Sequence, residues 1–319
     1  ANFVDAYGIQ VRRASAKLSK VMQLSIPSDK LTEIYAYFLA APHARRWPRG
    51  ESIPTAAMAS RQFSVTNFDY GIQIPYHLND VADDQTRSLL NAARDGGKSL
   101  ALMEERLFFQ VLTGAADANL LTAIPTGSDG AALFATTAGG VNRFAVANGN
   151  LLTGNGVASV AALQTDLWAA VSQAMQFQDG QGQPLLQPEL VMEGITVIFG
   201  AANLEIFSRA FSQKMHIQRQ MNVAGAENVG AAGVSNLVLD SGMQFDLYPT
   251  PRITDNDWFI FLNGVKPPVF SQLRQAIEET IKDKSNSDQA KDTKVGGISW
   301  DVRLGIGVQE TFGAVEINN

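Results

Sequence analysis

The chain reads as an α+β protein, and three observations predict that class. Apolar residues recur at helical spacing over 83–113 and again over 160–177. Apolar and polar residues alternate through FSVTNFDYGIQIPYHL (63–78) and ISWDVRLGIGV (298–308), the pattern of half-buried strands. The two kinds of segment follow no strand–helix–strand rhythm, so a doubly wound parallel sheet is not expected.

Taken in order, residues 1–24 are weakly amphipathic and read as an arm or short helix. LTEIYAYFLA (31–40) has apolar residues at 31, 34, 35, 38 and 39, a helical spacing that Ser28 or Asp29 can cap and Pro42 ends. HARRWPRGESIP (43–54) then packs three arginines and a tryptophan around a Pro and a Gly. The alternating stretch after it reads as strand with a turn near Asn67 to Gly71. Together with the preceding stretch it makes a long two-stranded excursion, which needs a surface to lie on, because a lone hairpin is marginal in water.

Asp83 and Asp84 open a helix over about 83–113, where acidic side chains suit the helix dipole. Its apolar stripe runs through Leu89, Leu90, Ala93, Leu100, Met103, Leu107, Val111 and Leu112. Gly96-Gly97 costs roughly 1 kcal/mol per glycine relative to alanine and marks a bend or a close-packing point. So long a helix suggests a spine. Residues 117–157 are rich in Gly, Ala, Asn and Thr with little periodicity, as in a segment draped over neighbours.

VAALQTDLWAAVSQAMQF (160–177) is a second amphipathic helix with Leu163, Leu167, Trp168, Val171 and Met175 on one face. LVMEGITVIFG (190–200) reads as a buried strand, AANLEIFSRAF (201–211) as a helix, and 213–236 as a polar loop. LVLDSGMQFDLYPTPRI and WFIFLNG supply strands, and 278–294 is a charged, solvated loop. Residues 298–317 close as strand through Ile298, Trp300, Val302 and Leu304.

Composition excludes several function classes. With 319 residues the chain can hold two domains, and 45% hydrophobic content with a mean hydropathy of −0.03 fits a folded protein. Cysteine is absent, which removes disulfides, thiolate nucleophiles and cysteine zinc sites and suits a reducing cytoplasm. His43, His77 and His216 lie far apart, so a histidine metal site is not expected. The N-terminus has no secretory pattern, and the opening at Ala1 fits removal of Met or cleavage of an upstream piece. The apolar stretch 194–211 is too short and too polar to span a bilayer.

Catalytic signatures are missing as well. GNGVAS (154–159) partly matches a dinucleotide fingerprint but lacks its third glycine, and an ordinary loop before a helix accounts for it. The strand–Gly–helix at 194–211 needs no anion to explain it. Capping and surface pairing account for Asp83-Asp84 and Glu104-Glu105. No enzyme class emerges, and no catalytic residue, cofactor or metal is expected.

The net charge of −6 argues against general nucleic-acid binding. Its distribution is uneven. Arg12, Arg13, Lys17 and Lys20 stand against Asp5 in 1–24, a net of +3, and Arg45, Arg46, Arg49 and Arg61 stand against Glu51 in 43–61, again +3. Two basic segments in an acidic chain suit contact with an acidic protein surface.

Several segments, in order, resemble the Mu-type major head subunit family of tailed phages. LTEIYAYFLAAPHARRWPRGE is similar to that family's helix followed by an Arg-x-Trp-x-Gly stretch. FSVTNFDYGIQIPYHLNDVADD resembles its strand pair and the acidic start of its spine helix. SDGAALFATTAGGVNRFAVANGN resembles its Asp-Gly-x-x-Phe-Phe segment, with Thr136-Thr137-Ala138-Gly139 where relatives often carry His-Pro. WFIFLNGVKPPVFSQLRQ resembles its Trp, Lys-Pro and Gln-x-Arg, and WDVRLGIGV its closing strand. Coverage runs from about residue 30 to the end.

The resemblance implies the capsid fold of tailed phages and herpesviruses. It implies an N-terminal arm (1–40) and an extended loop (41–80) lying across a neighbouring subunit. It implies a peripheral domain with the spine helix and a long loop (81–156), an axial domain (157–265), and peripheral return strands (266–319). The implied function is a major capsid protein that self-assembles, as hexamers and pentamers, into an icosahedral shell around phage DNA. The shell would stand in the virion after assembly in the host cytoplasm. Scaffold, portal and decoration proteins are further implied partners. The packaged double-stranded DNA is held without sequence-specific contacts, and no membrane is involved.

The subunit interface is expected at Arg12 and Arg13 of the arm and at Arg45, Arg46, Trp47, Arg49, Arg61, Phe63, Phe68 and Tyr70 of the loop. Guanidiniums pair with a neighbour's carboxylates in bidentate fashion, and Trp47 is an anchor of the kind enriched at interface centres. Some relatives of the wider fold lock their shells with isopeptide bonds from a loop lysine. Residues 43–80 contain no lysine, so no such crosslink is expected. A nanocompartment shell of the same fold is the alternative reading. A metal-carboxylate hydrolase is a third, which the missing His and Cys sets disfavour.

Overall fold

The structure is a computed structural model that describes residues 18–39, 46–47, 49, 52, 59–77, 79–80, 88–179, 182–211, 215–218, 232–235, 243–282 and 287–319. The first elements are β1 (Met22–Pro27), β2 (Thr32–Leu39), β3 (Ala59–Thr66), β4 (Phe68–His77), α1 (Ser88–Ala101) and α2 (Met103–Thr113). Next come β5 (Thr137–Ala138), β6 (Val141–Asn142), β7 (Leu151–Thr153), α3 (Val160–Met175), α4 (Pro188–Met192), β8 (Ile195–Gly200) and α5 (Leu204–Phe211). The last are β9 (Met215–Gln218), β10 (Ala232–Ser235), β11 (Phe245–Thr250), β12 (Trp258–Leu262), β13 (Val269–Lys282), α6 (Asp288–Thr293), β14 (Val295–Val308) and β15 (Ala314–Asn318). Two compact units result. One gathers Ala1–Tyr37, Gln62–Ser128 and Val269–Gln309, the other Phe38–Arg61, Asp129–Pro268 and Glu310–Asn319.

The first unit is built on a four-stranded sheet of order β1-β13-β14-β4. β1 runs parallel to β13, and the other neighbours are antiparallel. Along β14 the alternation read from the sequence holds, with Trp300, Val302 and Leu304 buried and Asp301 and Arg303 half-buried on the other face. α1 packs on the apolar face. A Cβ at Gly96 would lie 3.0 Å from Ile74 Cδ1 and 3.2 Å from the Trp300 ring, so the glycine is a close-packing point. α2 buries Leu107, Phe108, Val111 and Leu112 and ends at Gly114 in the left-handed conformation (φ 66).

The single helix expected over 83–113 is two helices, interrupted at Leu102. Residues 81–87, with Asp83 and Asp84, lie outside the described residues. Glu104 and Glu105 therefore stand in the first turn of α2, where the helix dipole favours them. Glu104 also accepts from the hydroxyls of Ser25 (3.1 Å) and Ser271 (2.9 Å), which ties the helix start to the sheet.

Residues 32–39, expected as helix, form strand β2. Thr32, Ile34, Tyr35, Tyr37 and Phe38 are β-branched or aromatic strand formers, and the helical spacing at 31, 34, 35 and 38 coexists with that propensity. The expected turn near Asn67 to Gly71 is not a hairpin. β3 and β4 are separated by Asn67 alone and enter different sheets, β3 pairing with β2 and β4 with β14. In 278–294, expected as loop, β13 continues to Lys282 and α6 follows, N-capped by Ser287. Residues 278–282 are nonetheless exposed.

The second unit contains a five-stranded sheet of order β11-β8-β12-β15-β7. Every residue of β8 and β12 is buried, as in strands covered on both faces. The strand expected from 190 starts only at Ile195, after the short helix α4. α3 lays Leu163, Leu167, Ala170, Val171 and Ala174 into this core, and the Ser159 side chain accepts from Ala162 N–H as its N-cap. GNGVAS is thus the loop before a helix. Trp168, expected on the buried face, is 40% exposed because it lies to one side of that stripe. Phe207 of α5 stacks on Phe199 at 4.0 Å and meets Trp258 edge-on at 5.4 Å. Within 213–236, expected as loop, β9 and β10 pair antiparallel, and the rest lies outside the described residues. Among the described residues no helix is long and apolar enough to cross a membrane, and no carboxylate or histidine cluster could hold a metal.

Candidate subunit interface

The two-stranded excursion expected over 43–80 is not what forms: β4 enters the four-stranded sheet, most of 40–58 lies outside the described residues, and the two-stranded ribbon pairs β3 with β2, whose root is fixed by side-chain contacts. Tyr35 stacks on Phe63 (5.4 Å) and meets Phe270 edge-on (5.0 Å). Its hydroxyl donates to Gln272 Oε1 at 2.9 Å, and Gln272 Nε2 donates to the Val65 carbonyl at 3.1 Å. Burial and the nearby Glu33 carboxylate push the Tyr35 phenol upward, so it stays a neutral donor. Glycines in β14 let the ribbon settle: a Cβ at Gly307 would lie 2.6 Å from Val65 and 2.7 Å from the Phe270 ring.

Asn67 locks the crossover. Its amide donates to Ser28 Oγ (2.9 Å) and the Lys30 carbonyl (2.8 Å), and its backbone N–H to the Leu31 carbonyl (2.8 Å). Glu33 accepts from the backbone N–H groups of Asp29 (3.3 Å) and Lys30 (3.1 Å). Thr32 and Thr66 share a hydroxyl hydrogen bond at 3.1 Å across the ribbon. These bonds fasten the root of the ribbon to the segment before β2.

On the side of β2 away from Tyr35, Ile34 is 69% exposed, and Leu31 just before the strand is 60% exposed. Trp47 (56%) and Phe68 (39%) are exposed as well. Adjacent exposed apolar residues such as Leu31 and Ile34 suit an interaction surface. Arg46, Arg49 and Arg61 are exposed. Arg12, Arg13 and Arg45 lie outside the described residues. Phe63 faces Tyr35 and is half-buried. Tyr70 is buried, its hydroxyl donates to the Leu120 carbonyl at 2.8 Å, and burial pushes its phenol up to about 12. Its polar group is spent within the chain. Leu31, Ile34, Tyr35 and Asn67 were absent from the expected set. The strand alternation within TEIYAYFL was the signal that could have found Ile34.

The second unit holds a different polar centre, in the segment around residues 129–150. Arg143 is buried and donates through Nε to Asp129 at 2.7 Å and through Nη1 to the Ala132 and Leu133 carbonyls, both at 2.9 Å. Asn150 accepts from Arg143 and from Ala135 N–H, and donates to the carbonyls of Leu133, Thr311 and Ala314. Burial lowers the Arg143 pKa, and Asp129 opposes that shift. The cluster organises the loop around residues 129–150, and among the described residues only Arg143 Nη2 within it is buried without a hydrogen-bond partner. At β15, Glu316 is raised to about 7 by burial and by the carboxylates of Asp257 and Asp255.

Residues 65–317 match the family described as phage capsid protein. The capsid structure of the cyanophage P-SCSP1u is similar with a TM-score of 0.57 at 12% identity, over 94% of this chain and 86% of that one. The capsid of the Myoviridae phage XM1 is similar with a TM-score of 0.54 at 9% identity, over 94% and 90%. A virus-like particle from Pyrococcus furiosus aligns over 98% and 96%, with a TM-score of 0.50 at 8% identity. No curated protein matches the sequence.

Proposed function

From the premise that this chain belongs to the phage capsid protein family, we propose that the β2–β3 ribbon is the element by which its copies join into a shell. The protein is a structural capsid subunit of the tailed-phage fold and not an enzyme. The observation that carries the ribbon's role is its two-sidedness. Tyr35 and Phe63 bind it to its own sheet, while Leu31 and Ile34 stand open to solvent. A lone chain gains nothing from that exposed apolar surface, whereas a second copy would cover it.

Our reading extends to the Mu-type major head subunits, whose segment order this sequence follows from about residue 30. Copies then form hexamers and pentamers, with Arg45, Arg46, Trp47, Arg49, Arg61, Phe63 and Phe68 from the loop and Arg12 and Arg13 from the arm at their contacts. The division into arm, extended loop, peripheral and axial domains belongs to the same reading. So do assembly in the host cytoplasm, engagement of scaffold, portal and decoration proteins, and enclosure of double-stranded DNA without sequence-specific contacts. An acidic chain suits an inner wall that does not grip packaged DNA, since each phosphate contact adds affinity. The Pyrococcus furiosus likeness carries the fold alone, and the family match decides between a phage shell and a cellular compartment.

Negative-stain microscopy and size-exclusion chromatography of the protein expressed alone test this. Closed shells, tubes or capsomer rings are expected. A species that stays monomeric at every concentration, with and without co-expressed phage assembly proteins, would overturn it.

A further inference from the structure

In the second unit the end of β15 is held between two turns, and the grip runs through one asparagine. Asn319 donates its backbone N–H to Asp257 Oδ1 (2.7 Å) and its side-chain amide to the Asn256 carbonyl (3.0 Å), both in the turn before β12. In the loop after β7, Gly156 N–H donates to Asn319 Oδ1 (2.8 Å) and Gly154 N–H to the Asn318 carbonyl (2.8 Å). A Cβ at Gly154 would lie 2.7 Å from Ile317 Cγ2, so a glycine lets the loop close on the strand. The same loop is anchored to α3, where the buried Asp166 carboxylate accepts from the backbone and side-chain amides of Asn155.

Glu316 stands within this grip, on the same strand as Asn319. Its register neighbours are Phe259 of β12 and Leu151 of β7, neither of them charged. Its backbone N–H donates to the Asn150 carbonyl (3.0 Å), and Asn150 belongs to the Arg143–Asp129 centre, whose two charges are paired with each other. Among the described residues the charges acting on the Glu316 carboxyl are Asp257 and Asp255, both negative. Asp257 and Glu316 are thus held in different states. Burial raises the Asp257 carboxyl, and the Asn319 N–H opposes that rise by favouring its charge. Burial first, then the carboxylates of Asp257 and Asp255, keep a proton on Glu316 up to about 7. Losing that proton sets a third negative charge beside two in a poorly solvated place.

We propose that the proton on Glu316 closes this clasp, so that residues 316–319, the loop 154–156 and strand β7 are pinned together in mildly acidic solution and released as the proton leaves. The clasp governs an edge, because β7 is the terminal strand of its sheet and pairs with residues 316–318 of β15. Opening the end leaves backbone groups of both strands unpaired. It also reaches the Arg143 centre, since Asn150 directly precedes β7 and its carbonyl accepts from Glu316. In the closed clasp the carboxyl gives up its proton near 7, whereas an opened end restores the ordinary 4.5. Closure is therefore strongest below 4.5, weakens by up to about tenfold per pH unit between the two values, and has lost the proton's help above 7.

Amide hydrogen exchange of the full chain, read by mass spectrometry from about pH 5 to about pH 8 and corrected for the intrinsic base catalysis of exchange, tests the clasp. Peptides covering 151–157 and 314–319 are expected to lose protection about tenfold or more between pH 5 and 7 and to level off above. They should exchange faster than β8 and β12 at every pH, because the end opens without the core. Glu316→Gln keeps the shape and cannot ionise, so its profile should be flat. Asp257→Asn keeps an oxygen for Asn319 and removes a charge, so its loss of protection should finish at lower pH. Exchange of these peptides at the core's own rate would make the opening global and overturn the clasp. A parent profile without pH dependence, or a Glu316→Gln profile as steep as the parent's, overturns it as well.

Discussion

The four-stranded and five-stranded sheets solve opposite problems. In the second unit, β8 and β12 are buried along their whole length, and helices and neighbouring strands use every apolar side chain they offer. In the first unit, β14 buries one side along its middle, where Ser299, Asp301 and Arg303 on the second side are only half-buried, and buries both sides only at its ends, as at Gly305 and Gly307 under the ribbon root. The first arrangement is complete within one chain. The second is complete only when something else arrives. A one-sided sheet beside an apolar ribbon is what a building block needs, whereas a two-sided core is what keeps each block folded while it waits.

If that contrast is right, core damage in the second unit should cost the fold, and surface damage in the first should cost only assembly. Trp258→Ala sits at the centre of the buried aromatic cluster with Phe207 and Phe211 and is expected to cost about 3–5 kcal/mol, read as a fall in the urea midpoint. Asp129→Ala would strand the buried Arg143 charge and should cost on the order of 3 kcal/mol.

Glu316 gives a pH signature to the second unit alone. Its carboxyl is raised to about 7 in the folded chain against 4.5 unperturbed, so the folded state holds a proton that the unfolded state releases. Its contribution is therefore fully present below pH 4.5, declines as pH rises toward 7 and is lost above it, by at most about 3 kcal/mol. Thermal unfolding of Glu316→Gln should show a flatter slope across that window, and an unchanged slope would remove Glu316 as the cause. Gly96→Val in the first unit would press a side chain into Ile74 and Trp300 and should cost roughly 1–3 kcal/mol.

The smallest stability effect should carry the largest effect on assembly. Ile34→Asp, at 69% exposure, is expected to leave the melting midpoint within about 0.5 kcal/mol of the parent while abolishing particles. Particles that form normally from this variant would remove the ribbon's exposed side as the part of the first unit that assembly needs. Intact shells should also run as a single band at chain mass on a denaturing gel, because the loop has no lysine for an isopeptide bond. A covalent ladder would refute that.

Where a segment's partners are local or its pattern one-sided, the sequence was readable. β14 shows its period-two burial in Trp300, Val302 and Leu304, and α3 its stripe in Leu163, Leu167 and Val171. β2 was not readable, because its apolar spacing suits a helix and the residues that make it a strand, Phe63 and Phe270, are distant in sequence. The interruption at Leu102 has no proline to announce it. The sequence offers a basic, aromatic segment as the candidate interface, while the exposure of Ile34 and the Glu278–Asp301 opposition depend on register, which composition does not encode. Asn67 looked like a turn residue and is a rivet between two sheets.

That rivet has a mechanical meaning. β3 passes into β4 with one residue between them, and β4 is held to β14 by ten consecutive register pairs from Phe68 to His77. A tug on the ribbon therefore reaches the body of the subunit along the axis of β4, as shear. Shear loads all rungs of a ladder together, whereas peeling breaks them one at a time. Internal pressure that strains a wall of such subunits would be resisted by the whole strand, and in single-molecule pulling through the ribbon the first unit should yield late and in one step.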